Sequence, residues 1–188
     1  MTTHYIELTI QPDPDFAPHH LMGALFSKLH RRLVELDRDD IGTSFPQHRV
    51  SPKDIGNTLR IHGDTTALDA LMAKPWLQGM REHVRIGEMA KPPADARHRI
   101  VRRRQFKTNA ERLRRRHMRR HDVSAQAAME TIPDSVERKV PLPFVQMRSA
   151  STNQSFSLFV EHGQECEQPQ QGQFNSYGLS NGATVPWF

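Results

Sequence analysis

HYIELTIQPDPDFAPHHLMGALFSKLHRRLVEL, residues 4–36, reads as a strand, a turn and a helix in one pass. Over 4–10, Tyr5, Glu7 and Thr9 alternate with Ile6, Leu8 and Ile10, the period-two pattern of a half-buried strand. PDPDFAP (12–18) is a turn, and Pro18 suits the first helical position, where the missing N–H would have had no helical acceptor. Leu21, Met22, Leu25, Phe26, Leu29, Leu33 and Leu36 then recur at helical spacing, giving one apolar stripe over 19–37. Working outward, IGTSFPQ (41–47) and TLRIHG (58–63) read as short strands. TTALDALMA (65–73) reads as a helix opened by a threonine or Asp64 cap, and REHVRIGEM (81–89) as a strand. Strand, helix, strand, strand, helix, strand is the βαββαβ order of a ferredoxin-like domain, for which residues 1–90 suffice.

KPPADA (91–96) is a linker, because its two prolines carry no N–H for a ladder or a helix. Beyond it RHRIVRRRQF is extended. A helix is expected over 109–121 and a second over 124–131, with Ser124 as its cap and Pro133 past its end. LPFVQMRS (142–149), QSFSLFVEH (154–162), QFNSYGLS (173–180) and ATVPWF (183–188) have the composition of strands, and GQECEQPQQG (163–172) that of a polar loop. The expected fold is α+β: a ferredoxin-like domain over 1–90, then a smaller α/β domain over 97–188 that holds the helix 109–121.

Composition narrows the function. The chain has 188 residues, 36% of them hydrophobic, and its apolar runs are too short for the ~20 residues of a membrane span. MTTHYIELTI lacks the basic and apolar regions of a secretory signal, and the single cysteine, Cys166, cannot form an internal disulfide. A cytoplasmic location is the expectation. The net charge of +5 conceals a strong asymmetry. Between Arg97 and Arg120 stand twelve arginines and lysines and one acid, Glu111, so this stretch carries +11 and the remainder −6. So dense a run of one sign repels itself and is suited to a polyanion, whereas a solvated surface helix usually mixes signs.

On a helical wheel Arg112, Arg115, Arg116, Arg119 and Arg120 share one arc, opposite Leu113, Arg114, His117, Met118 and His121. Such a face can lie along a phosphate-lined groove, each guanidinium forking onto phosphate oxygens. In the extended stretch before it Arg103 and Gln105 fall on the same side; arginine pairs with guanine and glutamine with adenine through two hydrogen bonds each. The plainer alternative is that these two only extend the charge. His117 and His121, four apart, lack the glutamate of HExxH and sit among arginines that repel a cation. No phosphate-binding loop, GxSxG or carboxylate cluster is present, so neither a cofactor nor a metal is expected.

PDPDFAP, LMGALFSKLH, DIGTSFP, KTNAERLRRRHMRRHDVS, LPFVQMRSAST and YGLSNGATVPWF, in this order along nearly the whole chain, closely resemble the CRISPR-associated Cas-six endoribonucleases of subtype I-F. The resemblance implies an endonuclease that cuts precursor CRISPR RNA just below a repeat hairpin, then keeps the hairpin as a subunit of an interference complex. It makes 97–188 an RNA-binding domain. It assigns catalysis to His30, in SKLHRRL, with Ser149 placing the attacking 2′-hydroxyl and Tyr177 orienting the histidine. Ser151 and Thr152 would hold the nearby backbone, and Phe156 would stack under the last base pair. Arg103 and Gln105 would read bases. Arg115, Arg116, Arg119 and Arg120 would line the groove, with His121 assisting, and the wheel adds Arg112 to the same face. The broader Cas-six group has a denser glycine-rich C-terminal loop than Gly178 and Gly182 supply here.

RNA carries its own nucleophile, so a histidine, titrating near neutrality, can serve as the general base. By periodicity alone His30 reads as a core or edge histidine in preference to a catalytic one, in line with Met22 and Phe26. Two other functions compete: a catalytically idle CRISPR RNA-binding subunit, and a helix-turn-helix DNA-binding protein built on 109–121 and 124–131. Five arginines on one helix face offer little base-reading variety, which weakens the latter.

The division of labour in the basic band is measurable. Arg116→Ala or Arg119→Ala should weaken hairpin binding on all stems and flatten its salt dependence. Arg103→Ala or Gln105→Ala should instead relax the preference for particular stem base pairs, by about 1–3 kcal/mol per lost contact. Titrations of stem variants at several salt concentrations check both; identical responses from the two groups would refute the division.

Overall fold

The computed structural model describes every residue except Met1, 107–109, 137–139 and 150–152. It is an α+β fold. The elements run β1 (His4–Ile10), α1 (Pro18–Leu36), β2 (Gly42–Ser44), β3 (Thr58–Gly63), α2 (Thr65–Met72), β4 (Val84–Ile86), β5 (Arg97–Arg104), α3 (Ala110–His121) and α4 (Ala125–Thr131). A short 3-10 turn (Asp134–Val136) is followed by β6 (Phe144–Arg148), β7 (Ser155–Cys166), β8 (Gln173–Phe174), β9 (Ser180–Asn181) and β10 (Val185–Trp187). The first sheet has the order β2-β3-β1-β4, every pair antiparallel, which with α1 and α2 is the expected ferredoxin-like arrangement. A second antiparallel sheet runs β10-β5-β7-β6, and β8 pairs with β9.

By packing, the chain forms two compact units, Met1–Arg104 with Leu142–Phe188, and Gln105–Pro141. The first contains both four-stranded sheets around one apolar core. Its floor is Ile6, Leu8 and Ile10 of β1, with Leu25, Phe26 and Leu29 of α1 above them. The same core continues through Phe45 to Val101, Leu158 and Val160 of the second sheet. The 91–96 stretch lies between the two sheets in chain order, while the core runs through both.

Local chemistry explains the element ends. Pro18 opens α1, and Asp37 closes it in the left-handed region with φ 49°, its N–H reaching Leu33 and Val34. Asp64 accepts from the Ala67 N–H and Ser124 from the Ala127 N–H, so both caps read from the sequence are made. Arg32, 4% exposed, donates to the carbonyls of Ala70 (2.5 Å) and Leu71 (3.2 Å), which a helix leaves unpaired at its C-terminal end. In the second unit α3 and α4 pack on each other, with Ala128 of α4 fully buried, and Asp122 (φ 50°) turns the chain between them.

Three stretches differ from expectation. The loop expected from 163 is strand as far as Cys166, because β5 is long enough to pair with it: His98 faces Cys166 and Arg99 faces Glu165. Between Arg99 and Val101 the partner strand advances from Glu165 to His162, so Gly163 and Gln164 together oppose Ile100 in a bulge. The strand expected over 173–180 is two short strands around a tight turn, and that over 81–89 shrinks to Val84–Ile86, preceded by turns closed by bonds such as His83 N–H to Met80 O (3.1 Å).

Two buried histidines tie this core together. His62 lies 2.8 Å from the Ser44 hydroxyl through Nε2; burial, then the nearby Arg60, holds its pKa down to about 3. His162 accepts from the Phe45 N–H and stacks on His48 at 3.6 Å; burial, then His48 and Arg99, lowers its pKa to about 2. Both are neutral when folded, so the unfolded chain takes up protons first. Their contribution is therefore complete above pH ~6.5 and is lost on acidification, at up to ~1.4 kcal/mol per pH unit for each proton. Urea midpoints should fall between pH 7 and pH 5, and His162→Gln, which keeps an acceptor for Phe45, should reduce that slope. An unchanged slope in the variant would show that His162 is protonated in the fold.

Candidate active site and basic surfaces

β7 pairs with β5 and β6 so that one face of the second sheet carries Arg99, Val101 and Arg103, their partners Glu165, His162 and Val160, and then Leu158, Phe156, Val145 and Met147. Alternation continued past Arg148 assigns Ser149 to this face as well. Helix α1 lies against it. A Cβ on Gly23 would overlap the carbonyl oxygen of Gln146, and the Ser27 hydroxyl meets the Met147 sulfur at 3.5 Å. Helix and strand thus run the same way. From Gly23 to His30 the helix rises ~10 Å at ~1.5 Å per residue, and from Gln146 to Ser149 the strand rises ~10 Å at ~3.3 Å per residue. The two elements therefore carry His30 and Ser149 to the same end.

His30 is half-buried at this end. Its ring stacks on Tyr177 with centroids 3.9 Å apart and planes 7° from parallel, and its Nδ1 is 2.7 Å from the Ser176 carbonyl. A carbonyl only accepts, so Nδ1 carries the proton and Nε2 presents the lone pair. Tyr177 in turn lies 6.2 Å from Phe26, on the core side. The Arg103 guanidinium is 5.5 Å from the Tyr177 ring and 6.0 Å from that of Phe156, within range of cation–π attraction. His30, Tyr177, Arg103 and Phe156 are thus brought together from α1, the turn after β8, β5 and β7.

Tyr177 is placed by its turn. Asn175 Oδ1 accepts from the N–H of Tyr177 (2.9 Å) and of Leu179 (3.2 Å). Gly178 has φ +70°, and a side chain there would also strike Thr43, 2.6 Å from its methyl. Thr43 of β2 donates its N–H to the Gly178 carbonyl at 2.8 Å and its hydroxyl to that of Tyr177 at 3.2 Å. Periodicity reads 173–180 as a strand and gives no sign of Thr43; the Asn–x–x–Gly pattern at 175–178 is the turn signal that marks Asn175 and Ser176.

Ser149 follows β6, its N–H donating to Gln154 O and its carbonyl accepting from the Asn153 N–H, both at 2.9 Å. Ser151 and Thr152 lie outside the described residues. The charge of β5 is largely paired. Arg97 meets Glu167 at 3.3 Å, Arg99 meets Glu165 at 2.6 Å, and Arg102 and Arg104 both reach Glu161 on the opposite face. Among the described residues Arg103 has no ion pair.

In the second unit Gln105 is exposed just after β5. Helix α3 exposes the arginine arc read from its sequence, Arg112, Arg115, Arg116, Arg119 and Arg120, while Leu113, Arg114, His117 and Met118 are half-buried; His121, on the inner arc by its angle, is instead exposed because it is the last residue of the helix. Arg114 donates to the Ile132 carbonyl and to Asp134, both at 2.7 Å, and so belongs to the packing of α3, not to its outer face. Arg115 has Glu111 at 3.9 Å; Arg116, Arg119 and Arg120 have no ion pair among the described residues.

The chain matches the family model described as "CRISPR-associated protein (Cas_Csy4)" over residues 5–188. It belongs to the Cas_Csy4 family. The subtype I-F resemblance read from the sequence is thereby borne out. A relative from Pseudomonas aeruginosa named "CRISPR-associated endonuclease Cas6/Csy4" is 49% identical over 98% of this chain and 99% of its own length. Another of that name from Escherichia coli is 41% identical over the same shares. A solved structure described as "An RAMP protein binding different RNA substrates" covers 98% of this chain and all of its own at 12% identity, with a TM-score of 0.34. No helix among the described residues is long and apolar enough to cross a membrane.

The approach of α1 to β6 can be tested on this Cas_Csy4 protein by Gly23→Ala. Backbone stands on both sides of the overlap, so the variant should lose about 1–3 kcal/mol despite alanine's better helix propensity. Thermal unfolding beside Ala24→Gly, an exposed neighbour that changes propensity alone, separates the two effects; a Gly23→Ala protein as stable as wild type would refute the close approach.

Proposed function

We propose that this chain is a metal-independent, hairpin-specific endoribonuclease that cuts precursor CRISPR RNA within the repeat. The observation that carries this reading is the fixed His30 imidazole, with Nδ1 on the Ser176 carbonyl and Nε2 left for substrate. Nε2 takes the proton of the 2′-hydroxyl beside the scissile phosphate. The 2′-oxygen then bonds to phosphorus, the bond from phosphorus to the 5′-oxygen breaks, and that oxygen takes a proton from water. The products are a 2′,3′-cyclic phosphate and a 5′-hydroxyl. Ser149 holds the 2′-hydroxyl in line, and orientation of this kind supplies a large share of such a barrier. Tyr177 restrains the imidazole by stacking. Phe156 caps the last base pair of the stem, with Ser151 and Thr152 holding the adjacent backbone.

Affinity comes from the stem. Arg112, Arg115, Arg116, Arg119 and Arg120, with His121 at the helix end, track its phosphates, while Arg103 and Gln105 read base edges. Such contacts persist after the cut, so the protein retains its product and serves in the cytoplasm as a subunit of a type I-F interference complex. The names of the two relatives, both CRISPR-associated endonucleases, support cleavage over an idle binding role.

Two substitutions, one in the protein and one in the substrate, test the chemistry. His30→Ala should abolish cleavage and leave hairpin affinity within about threefold, since affinity is carried by the stem contacts. A hairpin with one deoxynucleotide at the cut site should bind normally and stay intact, whereas EDTA should leave cleavage of the all-RNA hairpin unchanged. Cutting of the deoxy substrate, or loss of activity in EDTA, would overturn the mechanism; loss of binding by His30→Ala would make His30 a structural residue.

A further inference from the structure

We infer that Asn175 is a positioning residue that fixes the tautomer of His30 through a single peptide group. The inference rests on the proposed role of His30 as general base. The peptide unit joining Ser176 to Tyr177 is gripped from both sides. Its carbonyl accepts from His30 Nδ1 at 2.7 Å, and its N–H donates to Asn175 Oδ1 at 2.9 Å. A peptide group is planar, with N–H and C=O pointing opposite ways, so holding one end sets the direction of the other. Asn175 is itself held in the turn: its N–H donates to Leu179 O at 2.9 Å, and its carbonyl accepts from the Gly178 N–H at 2.8 Å. Each bond also polarises the peptide in the sense that strengthens the other.

The consequence is chemical. A neutral imidazole carries one proton, and its position follows the partner of either nitrogen. While the Ser176 carbonyl is aimed at Nδ1, every neutral His30 has its base at Nε2. Without the Asn175 side chain the peptide plane is free to rotate, the carbonyl leaves Nδ1, and the proton distributes over both nitrogens. The fraction with the proton on Nε2 cannot accept from a 2′-hydroxyl there. Stacking on Tyr177 keeps the ring in place but does not choose between tautomers.

Uniformly 15N-labelled protein, free of RNA and at a pH where His30 is neutral, gives the direct readout. Long-range 15N–1H correlation should show a single Nδ1–H tautomer in wild type and a mixture in Asn175→Ala. Single-turnover cleavage at saturating protein should fall about two- to fivefold in Asn175→Ala, in proportion to the fraction of neutral His30 left with its proton on Nε2, with hairpin affinity within about twofold. Asn175→Asp, whose carboxylate accepts from the same two N–H groups, should restore the single tautomer and most of the rate. Should Asn175→Ala unfold, Asn175→Ser, which keeps a shorter acceptor, is read in the same way and should give an intermediate mixture. An unchanged tautomer in the alanine variant, or a tautomer lost in the aspartate variant too, would overturn the inference. Failure of the general-base reading is seen separately, as cleavage by His30→Ala, and leaves the tautomer measurement intact.

Discussion

His30 sits on the side of a helix, where a histidine ordinarily samples several rotamers, and one turn from another part of the chain removes that freedom. Residues 175–178 supply both a carbonyl at 2.7 Å and a parallel ring at 3.9 Å. Ordering a side chain costs entropy, and here the cost falls on folding, since the partners are present before any ligand. The turn depends on Gly178 in a left-handed conformation and on Thr43, whose N–H and hydroxyl hold its last two carbonyls. Thr43 belongs to β2, the edge strand of the first sheet, and α1 packs over that same sheet. The histidine and the device that aims it therefore share one core.

Much of this was legible in the sequence because the responsible patterns are local. The apolar stripe of α1, the Asp64 and Ser124 caps and the exposed arginine arc of α3 all follow from residues within a turn or two of one another. The arginine band could be seen as charge, but not as paired charge. Glu161, Glu165 and Glu167 stand some sixty residues from their partners, and only the β5–β7 register reveals them. That register includes a bulge at Gly163, which periodicity reads as the start of a loop. Tyr177 and His30 were linked through family resemblance, whereas the Ser176 carbonyl carried no side-chain signal at all. Gly23 is a comparable case: glycine inside a helix costs stability unless something must come close, and the Gln146 backbone does.

The same register separates neighbouring arginines into different roles. Arg102 and Arg104 project to the face where Glu161 waits, and Arg103 projects to the face of Val101 and Val160. An arginine already paired with a carboxylate gains less from a phosphate, because one charge-assisted bond is exchanged for another. Arg103 faces aromatic rings, and a ring face attracts a guanidinium without occupying its N–H donors. Its five donors stay directed by the β5 backbone and the two rings, yet uncommitted to any carboxylate among the described residues. A run of three arginines thus presents one guanidinium beside Tyr177 and Phe156 with no ion pair among the described residues, and two paired with Glu161 across the sheet. The glutamates of β7 shape the basic surface as much as the arginines do, by cancelling charge where the sheet uses it for structure and leaving it where an anion can arrive.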